Sequence, residues 1–312
     1  MNAEWSVLPL VLRLRLLRDG IFPAFKGVTL RGAFGIHFRQ TVCATRSGTC
    51  EGCRLRETCA FPFVFDSPTG EEDESRLRGV RVHAPHPFAL QAPADDRASV
   101  PAGTDWDFRF TLIGKARQLL SYFIHAFIRL QKAGLGAERV PFILESVIAD
   151  LPAGEWQVYH EGATALRYPP EARGWPAPQA ASRIEVRFQS LTRIKMDGRV
   201  LRQIPFEALG RAALRRLTAL HSLYCGPLEE RDNRCLLEQA RAVRCIRSRL
   251  EAADVARKST RTGQRMCFDG VMGMVEYEGP LSDWLPYLHA AEQVNVGKGA
   301  SFGFGHMELS SA

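Results

Sequence analysis

The stretch Val294-Asn-Val-Gly-Lys-Gly-Ala-Ser-Phe-Gly-Phe-Gly-His-Met-Glu-Leu309 places four glycines, Gly297, Gly299, Gly303 and Gly305, within nine positions. They are interrupted by one lysine, one serine and two phenylalanines and followed by a short alternating tail, so a backbone loop precedes a final strand. Two readings stand: a loop whose main chain and Lys298 receive a phosphate chain, or a tight turn that needs left-handed conformations and nothing more. The spacing matches neither the Walker nor the dinucleotide glycine pattern, because no helix follows Gly305, so nucleoside-triphosphate chemistry fits poorly.

A last strand implies partners. Val7 to Leu17 alternates in its second half and reads as a core strand ended by Asp19-Gly20. Thr29 to Val42 has helical spacing through Leu30, Ala33, Phe34, His37, Phe38 and Thr41, with Thr29 expected at the N-cap. Val80 to Leu90 and Trp106 to Ile113 read as paired strands, Lys115 to Ala133 as a helix, and Phe142 to Ile148 as a further strand. The order strand, helix, strand, strand, helix, strand is that of an α+β, ferredoxin-like or RNA-recognition-like domain.

Pro169-Pro170, Trp175-Pro176 and Pro178 then mark a boundary, giving expected domains of 1–180 and 181–312. The same order begins again. Arg183 to Ile194 is a strand, Phe206 to Tyr224 an amphipathic helix, Leu228 to Ala256 an expected basic helical insertion, and Met266 to Tyr277 two middle strands broken at Gly270 and Gly273. Pro280 to Val294 closes the set as a short helix before the glycine loop at 297–305.

The chain has 312 residues, a net charge of +7 and 46% apolar residues, an ordinary globular balance with a modest leaning towards polyanions. The charge is unevenly placed. Between Arg241 and Arg265 stand eight basic residues against Glu251 and Asp254. Arg257-Lys258-Ser-Thr-Arg261-Thr-Gly-Gln-Arg265 is loop-like and rich in hydroxyl donors, which suits phosphates and base edges, and Arg193 and Lys195 add two cations after the first strand of the second domain. No aromatic pair stands where an RNA-recognition sheet stacks single-stranded bases, so a paired stem held by shape and phosphate is expected. No stretch has the length and apolarity of a membrane span or the order of a signal peptide, so the expected setting is the cytoplasm, with no membrane partner.

In a reducing compartment the eight cysteines are thiols or metal ligands. Cys43-x6-Cys50-x2-Cys53-x5-Cys59 gathers four soft ligands around one two-residue knuckle, suited to a structural zinc ion, with an iron–sulfur cluster or unpaired loop thiols as the alternatives. Four thiolates would leave no open position for catalysis. His37 lies on the first helix beside Arg31 and Arg39, one loop after Lys26. An imidazole there can move a proton while cations hold a negatively charged transition state; the plainer alternative is a hydrogen-bonded histidine at the edge of the core. His83 and His86 are close in sequence but lack a third ligand.

Taken together, Gly297-Lys-Gly-Ala-Ser-Phe-Gly-Phe-Gly305, Thr260-Arg-Thr-Gly-Gln-Arg-Met266 with Gly270-Val-Met-Gly, and Leu30-Arg-Gly-Ala-Phe-Gly running into the cysteine cluster resemble the CRISPR precursor-RNA-processing endoribonucleases of the repeat-associated (RAMP) superfamily. The resemblance implies tandem ferredoxin-like domains that bind a CRISPR repeat RNA and cut it once at the base of its stem. It implies a reaction without a catalytic metal or other cofactor, in which the ribose 2′-hydroxyl attacks the adjacent phosphate and leaves a 2′,3′-cyclic phosphate. His37 matches the family's helix histidine, with Lys26 or Arg31 steadying charge. RNA contact is expected from Arg193, Lys195, Lys258, Arg261, Arg265, Lys298 and the four loop glycines. The rival within the same superfamily is a non-catalytic subunit holding guide RNA among the other subunits of a CRISPR effector complex.

Overall fold

A computed structural model describes residues 5–46, 48–66, 84–171, 174–177, 179–226, 233–258 and 265–311, with backbone alone at 257, 258, 265 and 311. Strand β1 (Val7–Leu16) shows why the chain starts as it does. Leu8, Leu10, Leu12, Leu14 and Leu16 alternate into the core, while Arg13 and Arg15 on the other face pair with Asp107 at 2.7 Å and Glu145 at 2.8 Å on the two flanking strands.

Those flanking strands are β5 (Asp105–Ile113) and β6 (Phe142–Leu151); β3 (Phe88–Gln91) and β7 (Gly154–His160) form the edges, in the antiparallel order β3-β5-β1-β6-β7. Two short strands, β2 (Gly20–Ile21) and β4 (Ser99–Val100), pair beside this sheet. Helices α1 (Gly27–Val42) and α3 (Leu120–Ala133) cover one face, and α2 (Ala60–Phe65) follows Cys59 directly. Phe34 of α1 is the hub: the rings of Phe38, Phe110, Phe123 and Phe127 lie 5.0 to 5.4 Å from its own.

The second half repeats the plan. Its sheet has the order β11-β12-β8-β13, with β8 (Arg183–Thr192), β11 (Arg244–Lys258), β12 (Arg265–Glu278) and β13 (Met307–Ser311). Helices α4 (Phe206–Leu220), α5 (Arg234–Ala242) and α6 (Leu285–Val294) accompany it, and β9 (Lys195–Met196) pairs with β10 (Arg199–Val200) after β8. With β7 set aside, both sheets run second, third, first, fourth in chain order, the topology of tandem ferredoxin-like folds.

Three expectations are corrected. The basic helix expected over 228–256 is the nine-residue α5 followed by a fifteen-residue strand, so Arg244, Arg247 and Arg249 stand on a hairpin. Its Ala-, Arg- and Leu-rich sequence favours helix locally, but pairing with β12 along its length overrides that preference. Nor is 266–277 two strands. β12 runs unbroken through Gly270, where a side chain would meet the Thr192 carbonyl at 2.6 Å, and Gly273, whose φ of 117° absorbs a bulge. Finally, α1 begins at Gly27 with Lys26 as N-cap, so Thr29 lies inside its first turn. A side chain at Gly27 would strike the carbonyl of Phe302, so the helix start is fitted to the glycine loop.

Candidate nucleic-acid interface

The four loop glycines all take left-handed φ, from 73° at Gly305 to 92° at Gly303. Their nearest neighbours are protein atoms, carbonyls at Gly297 and Gly305 and the rings of Phe304 and Phe25 at Gly299 and Gly303. A side chain at Gly305 would overlap the Val296 carbonyl, one at Gly297 would stand 2.6 Å from that of Arg193, and one at Gly303 3.3 Å from that of Leu90. The Gly305 and Lys298 amides donate to Leu191 and Arg193 at 3.0 Å each. The loop is therefore folded onto β8 on one side and onto the first domain on the other. Asn295, fully buried with φ 63°, donates to Leu90 O at 2.9 Å, and Gln91 donates to Glu292 O at 2.9 Å. The left-handed geometry expected of these glycines is present, and what it serves first is a clasp between the two halves.

The cations expected to touch RNA divide by their surroundings. Lys195 and Lys298 are exposed, and with Arg215 of α4 they form one patch: burial, Arg215 and Lys195 all push the Lys298 ammonium below its ordinary range. Arg193 does not belong to it. Its guanidinium donates to Asp269 O at 2.7 Å and Oδ1 at 3.1 Å and lies 5.2 Å over the Phe268 ring, so the side chain expected to contact RNA is committed to β12 in this structure. Lys258 and Arg265 are placed as backbone at the end of the β11–β12 hairpin, and Arg261 lies outside the described residues.

Lys26 is also reassigned. It is 1% exposed, with its ammonium donating to Arg97 O at 2.6 Å and Ala24 O at 3.3 Å and lying 5.8 Å from the Trp106 ring centre. Held so, it steadies a loop and cannot reach a substrate. Arg31 lies between two rings, 4.9 Å from Phe65 and 5.0 Å from Phe302 of the glycine loop. His37 is half-buried with its Nδ1 sealed and unpartnered, and burial together with the Arg129 charge on α3 lowers its pKa. Six residues apart on an α-helix, Arg31 and His37 point about 120° from each other. The former faces the glycine loop and the latter faces α3, so the structure does not bring these two expected site residues together.

Sequence reasoning gave His86 no role and passed over Arg216. His86 stacks at 12° on Phe88, 5.7 Å away, and burial with the Arg31 and Arg216 charges pushes its pKa down to about 4. Arg216 of α4 donates from Nε to Val294 O at 2.7 Å. Arg215-Arg216 in an amphipathic helix was the only signal available, one exposed and one turned inward.

Cys43, Cys50, Cys53 and Cys59 line one cavity of about 590 Å³ between the end of α1 and the start of α2. The Cys43 thiol is lowered by its contact with Thr45, and burial raises that of Cys50, with smaller contributions from Cys59 and Cys43. Among the described residues no three ligating side chains stand close enough to hold an ion. No helix among them is long and apolar enough to cross a membrane.

Comparison with known proteins agrees with this architecture. Residues 5–171 match the family model AF_1859_N, an N-terminal domain, and residues 186–307 match that of the CRISPR-associated endoribonuclease Cas6. Among curated proteins no sequence matches. Among solved structures, a product complex of Cas6 (TTHB231) from Thermus thermophilus aligns at TM-score 0.57 and 15% identity, covering 97% of this chain and 100% of that one. A Cas6 (TTHA0078) product complex aligns at 0.52 and 20%, covering 98% and 100%. A partial Cas6-RT-Cas1–Cas2 complex aligns at 0.58 and 16% over 99% of this chain, which spans 46% of that longer one. At these identities the structures establish the fold, and the family models supply the kinship: over residues 5–171, more than half its length, the chain belongs to the AF_1859_N family, and over residues 186–307 it carries a Cas6-family domain.

Proposed function

We propose that the protein is an endoribonuclease that cuts CRISPR precursor RNA within its repeats. The observation that carries this reading is the exposed patch of Lys195, Arg215 and Lys298 at the glycine loop of a Cas6-family domain, cations with no acidic partner among the described residues and open to a phosphate backbone. The chemistry that suits such a site needs no cofactor: a ribose 2′-hydroxyl attacks its own phosphate, giving a 2′,3′-cyclic phosphate and a free 5′-hydroxyl. His37 is the proposed proton carrier. Its lowered pKa keeps it neutral and able to accept near pH 7, with Arg129 rather than Lys26 as the cation beside it. A labelled repeat hairpin incubated with the protein in chelator tests this; scission by wild type and none by His37→Ala, with repeat binding retained, is expected. A His37→Ala protein that cuts at the wild-type rate refutes the residue assignment.

The second reading is a non-catalytic subunit that retains guide RNA beside other CRISPR subunits. It is favoured by the burial of Lys26 and by the separation of Arg31 from His37 across α1. The same incubation separates the two, since a scaffold binds the hairpin and leaves it whole. For the cysteine cluster we propose a structural ion, zinc before an iron–sulfur cluster, drawn between the four thiols by closure of the loop. Metal analysis of the purified chain should give one zinc, lost in Cys50→Ser with Cys53→Ser; a metal-free wild-type protein with four titratable thiols in this loop ends that proposal.

A further inference from the structure

Helices α1 and α3 pack antiparallel, with the rings of Phe38 and Phe123 4.9 Å apart and those of Phe34 and Phe127 5.1 Å apart. The last turn of α1 therefore meets the start of α3, and the cavity of about 590 Å³ opens there. Thr41, one turn after His37 on the same face of α1, lines it and donates to His37 O at 2.8 Å. Tyr122 lines it from α3, on the face that carries Arg129 two turns later, the cation that acts on His37. The cavity and the imidazole thus share one groove, about 6 Å apart along α1.

The volume is that of a small-molecule site, within the range of about 300–1,000 Å³, and an ion held by four thiolates at ~2.3 Å fills only a small part of it. No acidic residue is among the described residues that line it. Leu55, Phe61, Leu119 and the 45% exposed Tyr122 make an apolar and aromatic wall. Of the two arginines there, Arg56 is engaged by Cys50 O at 3.2 Å and by Asp66 at 3.7 Å. Arg39 is not: it lies 5.4 Å over the Phe61 ring, and its Nη2 has no hydrogen-bond partner. We propose that this cavity binds the unpaired nucleotide adjoining the cleaved phosphate, with Tyr122 stacking on its base and Arg39 meeting the acceptors at the base edge. A flat ring with acceptors on its rim is what an aromatic face and a guanidinium fork recognise together. The inference rests on the proposed function, because only that reading puts a phosphate beside His37. The plainer account makes the cavity the open form of the cysteine loop, with Arg39 merely packed on Phe61.

Single-turnover cleavage of a repeat hairpin by the full chain separates these accounts. The cut is mapped first, and the bases on its two sides are then removed one at a time by an abasic residue. Wild type should cut one of the two abasic RNAs about 5- to 100-fold more slowly than the intact one, the range that the loss of one base stack gives. Tyr122→Ala and Arg39→Gln should each slow the intact RNA and slow that abasic RNA little further, while Tyr122→Phe keeps the wild-type rate. A role in packing alone predicts an equal slowing of both RNAs. The proposal is overturned by a wild type that cuts both abasic RNAs at the intact rate, or by penalties for Tyr122→Ala and Arg39→Gln that are undiminished on the abasic RNA. Wild type that cuts no repeat removes the proposed function and this occupant together, whereas cleavage without the coupling removes the site alone.

Discussion

The buried imidazole of His86 makes stability depend on pH in a calculable direction. Its folded-state pKa of about 4 lies below the ordinary 6.5, with burial the largest cause and the Arg31 and Arg216 charges following. Between these values the unfolded chain binds a proton that the folded one refuses, so stability falls as pH drops through the window from 6.5 to 4. The gap corresponds to about 3 kcal/mol at 1.36 kcal/mol per unit, a sizeable share of the ~5–15 kcal/mol that holds a typical domain together. His86→Phe retains an aromatic ring against Phe88 and Phe65 and removes the titration. Urea unfolding at pH 7, 5 and 4, read by fluorescence and far-ultraviolet dichroism to follow both halves, should show the wild-type curve falling towards that of the variant and losing about 3 kcal/mol relative to it by pH 4. His37 and His306, also lowered, cancel in the comparison. Parallel pH dependences for the two proteins would refute the reasoning, for they would mean that His86 is solvated or carries its proton in the folded state.

Phe34→Ala should remove about 3–5 kcal/mol from the first domain, measured by denaturant titration, because that ring packs against six others with no solvent exposure. Lys195→Ala with Lys298→Ala should flatten the salt dependence of hairpin binding by about 0.7 to 0.9 per lost phosphate contact, while Arg193→Ala, already committed to Asp269, should lower the unfolding midpoint and leave that slope alone. Gly305→Ala imposes a left-handed residue against the Val296 carbonyl, and a thermal melt should show a loss of at least about 1 kcal/mol.

What could be read in the sequence was whatever repeats locally. The leucine alternation in β1, the spacing around Phe34 and the recurrence of strand, helix, strand, strand, helix, strand each follow from side-chain periods of 2 and 3.6. β11 escaped because Arg244 to Lys258 carries helix-forming residues, and only pairing with β12, which begins seven residues after it ends, makes it a strand. The burial of Lys26 was equally hidden, since it depends on the Arg97 carbonyl 71 residues away. His86 could not be distinguished from any other histidine near prolines, because Arg31 lies 55 positions before it and Arg216 130 after. Periodicity describes how an element faces its core and says nothing of which charges two domains bring to one another.

This difference explains why the glycine loop, the most conspicuous feature of the chain, was legible as backbone while the contacts it makes across the two halves were not. Four left-handed residues are needed to turn the chain back on β8, and carbonyls of Arg193, Val296 and Leu90 occupy the room that side chains would fill. Phe302 and Phe304, carried on that turn, reach Arg31 and Phe25 of the first domain. The loop thereby determines where the exposed cations of the second half, Lys195, Arg215 and Lys298, stand relative to the first half. An RNA that touches both halves must meet them at one spacing. A lesion in the loop should therefore weaken RNA binding even where no atom of the altered residue meets the RNA, and it should do so together with the loss of stability that Gly305→Ala reports.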